Sequence, residues 1–209
     1  MAIVIDVETA PVSLKDLPPE NKAYLEEKSK NKRSGKIIDG EGYGQGAIGR
    51  FDLNKIICCC IKKDDEDIIS YINENINHKE DEKFIISGVF EQLVTQDHII
   101  TFNGNSFDLP MLKHRGLIHG LHTTMPFGIK SWSDHYIDVR YQLTDKYGVG
   151  DLAYWSRVFG IKPPQWGEDM DKSDLSKYPI ADVVKACRDD VRCTYELYQK
   201  LNNSKKGEG

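Results

Sequence analysis

The chain has 209 residues, 39% of them hydrophobic and 29% charged, and a net charge of −5. That balance excludes a disordered chain and a uniformly basic duplex-binding surface, and no apolar run is long enough to cross a membrane. One domain with a full core is expected over residues 1–209.

The chain enters a strand at once, with no secretory signal ahead of it. Ile3-Val4-Ile5-Asp6-Val7-Glu8-Thr9 is short and rich in β-branched residues, and Ala10-Pro11 closes it. Alternation on a strand puts Asp6 and Glu8 on one face. Two carboxylates side by side on a core strand repel, and burying them requires a counter-charge. A divalent cation with oxygen ligands meets that requirement; the alternative is an edge strand whose acids face water.

Residues 12–50 read as a polar insertion. Pro18-Pro19 precedes a helical pattern around Lys22–Lys28, and Lys28, Lys30, Lys32, Arg33 and Lys36 form a basic run. Gly44, Gly46 and Gly49 match G-x-G-x-x-G, but the match follows no strand and opens no helix, so it is not a dinucleotide fingerprint. A flexible loop is expected, with a phosphate cradle as the alternative. A basic loop beside carboxylates would also guide a polyanion.

Lys55–Ile61 and Ile68–Ile72 read as strands. The three consecutive cysteines Cys58, Cys59 and Cys60, within an odd total of five, read as reduced, partly buried thiols of a cytoplasmic protein. Glu82–Gln96 has helical spacing through Phe84, Ile85, Val89, Phe90 and Leu93. His98–Phe102 is a buried strand, broken by Asn103-Gly104-Asn105-Ser106. A helix then starts near Leu109-Pro110, with proline in its first turn.

Asp108 stands at that strand-to-helix junction, the edge of an α/β sheet where ligands gather; the alternative is a helix N-cap. His135–Leu143 fits strand and helix equally. Gly150-Asp151 precedes a helix that reaches Phe159 and ends at Gly160. Trp166–Tyr178 is an acidic loop. The last helix spans about Ile180 to Leu201, with an apolar stripe of Ile180, Val183, Val184, Cys187, Val191, Thr194, Tyr198 and Leu201. A frayed tail follows at 202–209. Asp190 lies beside the stripe: facing solvent it needs no role, facing inward it needs a partner. Asp189 points about 100° away.

The order and local sequence of these acids resemble the DEDD exonucleases, the DnaQ-like branch of the RNase H-like superfamily. Asp6-Val7-Glu8-Thr9 is similar to the first motif, D-x-E-T. Asn103 with Phe107-Asp108 resembles the second, and Asp190-Val191 with Thr194 and Leu197-Tyr198 the third. Leu152–Pro163 resembles the stretch between motifs two and three in relatives of the family-B polymerase proofreading domain. The resemblance implies an RNase H-like α/β fold, a mixed central sheet flanked by helices.

It further implies two-metal 3′-5′ hydrolysis of single-stranded nucleic acid, DNA favoured over RNA. One Mg²⁺ or Mn²⁺ would be held by Asp6, Glu8 and Asp190. The second would be held by Asp6, with Asp108 reaching it directly or through water. Thr9, Asn103 and Phe107 fall at substrate-binding positions. Two cations about 4 Å apart activate the attacking water, orient the phosphate and stabilise the leaving oxygen.

The chain departs from the family at one place. A Tyr or His is required four or five residues before the last Asp, and those positions hold Ala186 and Lys185. A slow or inactivated enzyme is one consequence, with Tyr178, His114 or His135 as replacement candidates. His114, His119, His122 and His135 otherwise read as surface or structural residues. Phe107, Tyr136, Trp132 and Trp166 would stack on bases, or else pack in the core. A non-catalytic nucleic-acid-binding module is the rival reading. A polymerase, repair or defence complex is the partner context this reading leaves open, and a proofreading role would require the polymerase, since no polymerase domain is present.

Overall fold

A computed structural model describes residues 1–29, 37–39, 42–43, 47, 50–74, 79–122, 135–144, 149–165 and 169–206. Gly44, Gly46, Gly49, Lys30, Lys32, Arg33, Lys36, Trp132 and Trp166 lie outside the described residues.

Strand β1 (Ala2–Pro11) continues through the proline that was expected to close it. Helix α1 (Pro19–Ser29) and the short antiparallel strands β2 (Ile38–Asp39) and β3 (Gly42–Tyr43) follow. Part of the expected loop is therefore a paired ribbon. Strand β4 (Asn54–Lys63) returns antiparallel to β1, and β5 (Ile69–Ile72) pairs antiparallel with β4. After helix α2 (Lys79–Leu93), strand β6 (His98–Thr101) runs parallel to β1. After helix α3 (Asp108–Ile118), strand β7 (Tyr136–Asp138) runs parallel to β6.

The spatial order is β5-β4-β1-β6-β7, which puts β1 at the centre of a five-stranded mixed sheet. The edge-strand alternative for Asp6 and Glu8 is thereby excluded. The ambiguous stretch His135–Leu143 is both things in turn, β7 leading directly into helix α4 (Val139–Thr144).

Both faces of the sheet are covered, and alternation along β1 feeds both. Ile3, Ile5 and Val7 meet Ile85, Ile86, Val89 and Leu93 of α2 and Leu109 and Leu112 of α3. Val4 and Ala10 meet helix α6 (Ile180–Lys206) through Val183, Cys187, Val191 and Leu197. Each of the buried valines, leucines and isoleucines among them contributes roughly 1.5–3 kcal/mol by leaving water. Cys59 joins the first layer and Cys58 and Cys60 the second, as alternation requires; all three are free and buried.

Phe84 departs from expectation. Ile85 and Ile86 take the buried arc of α2, and Phe84, a further 100° round, is 74% exposed. Helix α5 (Leu152–Val158) starts on Asp151, whose carboxylate accepts from Tyr154 N at 2.7 Å, and stops at Gly160, φ +66°. α6 runs beyond Leu201 to Lys206, so the first part of the expected frayed tail is helical.

Candidate carboxylate centre

Three elements bring four acids together. β1 carries Asp6 and Glu8 on its α6 face. The β1–β4 register slips between Glu8 and Thr9, so Ile57 becomes an extra residue on β4. Bulges of this kind twist a strand locally and re-aim its side chains.

Asp108 opens α3. The residue at the N-cap position is Phe107, without a side-chain cap bond, so the N-cap alternative for Asp108 does not hold. Its carboxylate instead accepts from Val7 N at 2.8 Å, tying α3 to the central strand across 101 residues of sequence.

α6 supplies Asp190 from its inward face. Asp189, next in the chain, faces elsewhere: its carboxylate accepts from Gln165 N at 2.5 Å and from Arg192. One carboxylate oxygen each from Asp6, Glu8 and Asp190 lie within 4.8 Å of one another. With Asp108 these acids line a cleft of ≈ 260 Å³, whose walls include Thr9, Asn54, Phe102, Asn103, Phe107, Lys172 and Ser173. The structure thus brings the four acids, Thr9, Asn103 and Phe107 to one place.

Burial dominates the electrostatics. It pushes Asp6 well above the usual carboxylate range, and the charges of Asp108, Glu8 and Asp190 add to the shift. Burial raises Glu8, with Lys172 opposing. Burial raises Asp108 to about 7 against the Val7 N–H, and raises Asp190 to about 7 against Lys172. Asp6 Oδ2 is buried without a hydrogen-bond partner. An orphaned carboxylate oxygen among three more acids matches what a hard divalent cation requires.

Sequence reasoning missed Lys172. Its ammonium bonds Glu8 and lies 3.8 Å from Asp190. Burial alone would lower it; Glu8, Asp190 and Asp6 reverse that and hold it above its ordinary range. Only its position between two motif carboxylates in space reveals it; in the chain it is a loop lysine.

Asp138 was missed as well. It accepts from Asn103 N (2.8 Å) and Asn105 N (3.2 Å), holding the motif-two loop at the C-terminal end of β6. Arg140 Nη1 donates to Asn103 Oδ1 at 2.8 Å. Asn103 stands at φ +66°, a conformation asparagine tolerates better than most residues. At Gly104 a β-carbon would come within 2.4 Å of the Thr101 side chain, so the loop needs glycine there.

Of the two positions where a Tyr or His was expected, Ala186, one turn before Asp190, is sealed at 1% exposure, and Lys185 is exposed and donates to Asp182. The replacement candidates lie elsewhere. His114 stacks on Phe51, with Nδ1 2.7 Å from Pro110 O; His135 bonds Asp97 O; the Tyr178 hydroxyl accepts from Asp171 N at 2.9 Å. None of the three lines the cleft. Tyr136 is buried in the sheet core, as its packing alternative required.

Residues 50–146, under half of the chain, match a family model described as "Predicted 3'-5' exonuclease related to the exonuclease domain of PolB". A family B DNA polymerase from the hyperthermophilic archaeon Pyrobaculum calidifontis superposes with a TM-score of 0.62 at 18% identity, over 96% of this chain. The chain resembles the polymerase-B branch of the DnaQ-like exonucleases. Its fold is RNase H-like, a five-stranded mixed sheet flanked by helices. The superposition spans 24% of the polymerase chain. No curated protein matches the sequence. Among the described residues no helix is long and apolar enough to cross a membrane.

The raised acids set a pH dependence. Asp108 and Asp190 titrate near 7 when folded against 3.8 otherwise, so the folded state holds their protons more tightly. Their stabilising contribution is complete below about pH 4 and is lost as pH rises through about 7. A cation bound there would replace those protons. Mg²⁺ or Mn²⁺ is therefore expected to raise the melting temperature more at pH 8 than at pH 6, in thermal melts with and without metal. An equal shift at both pH values would refute the raised acids as the metal ligands.

Proposed function

We propose that the chain is a metal-dependent 3′-5′ exonuclease acting on single-stranded nucleic acid, with DNA favoured over RNA. The observation that carries this is the convergence of Asp6, Glu8, Asp108 and Asp190 on one cleft around the unpartnered Asp6 Oδ2. Asp6, Glu8 and Asp190 would hold one cation; Asp6 would hold a second, with Asp108 reaching it directly or through water. Bound there, Mg²⁺ or Mn²⁺ supplies Lewis-acid polarisation of the scissile phosphate and acidifies the attacking water.

The remaining roles belong to the chain's own groups. The Asp108–Val7 bond keeps one acid registered against the central strand. Phe107 offers an aromatic face to the terminal base, and Thr9 and Asn103 offer polar contacts to the terminal nucleotide. Lys172, whose ammonium bonds Glu8 at the cleft, would neutralise a phosphate oxygen entering beside the acids. The Asp138 clamp keeps the Asn103 loop from collapsing into the cleft. In a longer polypeptide or a complex, a polymerase is the partner this reading favours.

Ala186 supports a second reading, a nucleic-acid-binding module without catalysis. The two are separated with 5′-labelled single-stranded DNA and RNA, Mg²⁺ or Mn²⁺, and chelator. A ladder that shortens from the 3′ end, and vanishes with chelator, is expected. Ala186→Tyr is expected to increase the rate roughly 100- to 10,000-fold, the usual contribution of a positioned proton acceptor. Because position 186 is sealed, the variant is also expected to lose about 1–3 kcal/mol of stability from overpacking. No cleavage by either form, with both folded and binding strands, would establish the module reading instead.

A further inference from the structure

A second ligand cluster lies under the carboxylates, on the same face of the sheet. Cys58 and Cys60 of β4 stand opposite Glu8 and Asp6 in the β1–β4 register, and Cys187 reaches them from α6. The three Sγ atoms lie within 4.8 Å of one another, and all three residues are buried and unoxidised. We propose that Cys58, Cys60 and Cys187 form a structural site for one thiophilic d¹⁰ cation of the Zn²⁺ class.

The spacing supports it. With Zn–S bonds near 2.3 Å, two thiolates on a tetrahedral ion stand ~3.8 Å apart. Cys58 and Cys60 Sγ are 3.7 Å apart. A fourth ligand is at hand: the carbonyl oxygen of Asp6 is 3.5 Å from Cys187 Sγ, against roughly 3.6 Å for a tetrahedral S···O edge. Three thiolates around a divalent ion leave one negative charge, and the Arg188 guanidinium borders the cluster. It donates to Ile68 O at 2.6 Å and to Ser70 Oγ at 3.0 Å, and that hydroxyl accepts from Cys60 at 3.3 Å. Sulfur ligands select against Mg²⁺, so this site and the carboxylate centre would take different ions. The ion would pin α6 to β4 one turn before Asp190. This inference does not rest on the nuclease reading.

The test uses the full chain, reduced, in excess Mg²⁺ to occupy oxygen ligands, titrated with Cd²⁺ as the probe. Thiolate-to-Cd²⁺ charge-transfer absorption is expected to saturate at one ion per chain, whether or not the protein cleaves nucleic acid. It is expected to disappear in Cys187→Ser, and in Cys60→Ser should the first variant not fold. It is expected to persist in Cys193→Ser, whose thiol lies outside the cluster and donates to Lys162 O. No absorption from the unsubstituted chain, absorption surviving Cys187→Ser or Cys60→Ser, or absorption lost in Cys193→Ser overturns the site. So does a chain that excludes Cd²⁺ and instead forms a disulfide among these cysteines on exposure to peroxide.

Discussion

Asp6→Asn is expected to lower the rate of 3′-end cleavage by at least roughly 1,000-fold, the equivalent of the several kcal/mol that Lewis-acid stabilisation supplies. Asp6 is assigned to both cations and carries, among the described residues, the one buried carboxylate oxygen without a hydrogen-bond partner. The substitution keeps the side chain's shape and removes its charge. In metal-free buffer it relieves repulsion from Asp108, Glu8 and Asp190, so the melting temperature at pH 8 is expected to stay level or rise. The stabilisation by Mg²⁺ is expected to vanish with the activity. This pairing separates loss of the site from loss of the fold. A variant that still cleaves, or that loses activity by melting, would remove Asp6 from the mechanism.

Glu82→Ala is expected to destabilise the fold by about 3–5 kcal/mol, the usual effect of leaving one partner of a buried ion pair alone. Glu82 of α2 accepts from Arg115 of α3 at 2.8 and 2.6 Å, and from Ile56 N of β4 at 2.8 Å; His119 Nε2 lies 2.7 Å away. Both charged side chains are under a tenth exposed. Burial pushes Glu82 up, and Arg115 and His119 bring it below its ordinary value. The pair therefore stabilises at neutral pH, and its contribution is lost as pH falls through that lowered value. Urea unfolding at pH 7 measures the loss. A change under about 1 kcal/mol would mean that water reaches Arg115 and takes over its hydrogen bonds.

The elements that announced themselves in the sequence are those whose side-chain periods match their burial. β4 carries an unbroken apolar run, and β1 is apolar on both faces up to Asp6, because helices cover both faces of the sheet. α6 was visible through the stripe Val183, Cys187, Val191, Thr194. β7 was not, because Tyr136–Asp138 is too short to show a period before α4 begins. Phe84 was misplaced because one apolar residue at the margin of a helical arc does not reveal which side the sheet lies on. The helical start of the tail, 202–206, went unseen because α6 continues into a polar segment that no stripe marks.

The acids themselves were legible one motif at a time. Asp6 and Glu8 share a face by strand alternation; Asp108 and Asp190 each had a structural alternative, and only the order of the motifs singled them out. The sequence by itself determined which residues carry charge, which segments carry a period, and that Ala186 stands where the exonucleases it resembles carry a tyrosine. Tertiary structure decided the rest. It made β1 the central strand, turned Asp108 from a possible cap into a tether on Val7, and placed Lys172 against Glu8 across 164 residues. It also set Cys187 beside Cys58 and Cys60. The physical reason is that propensity and alternation are local, acting over a few residues. Desolvation and charge pairing act between groups that only the packed chain brings within a few ångströms.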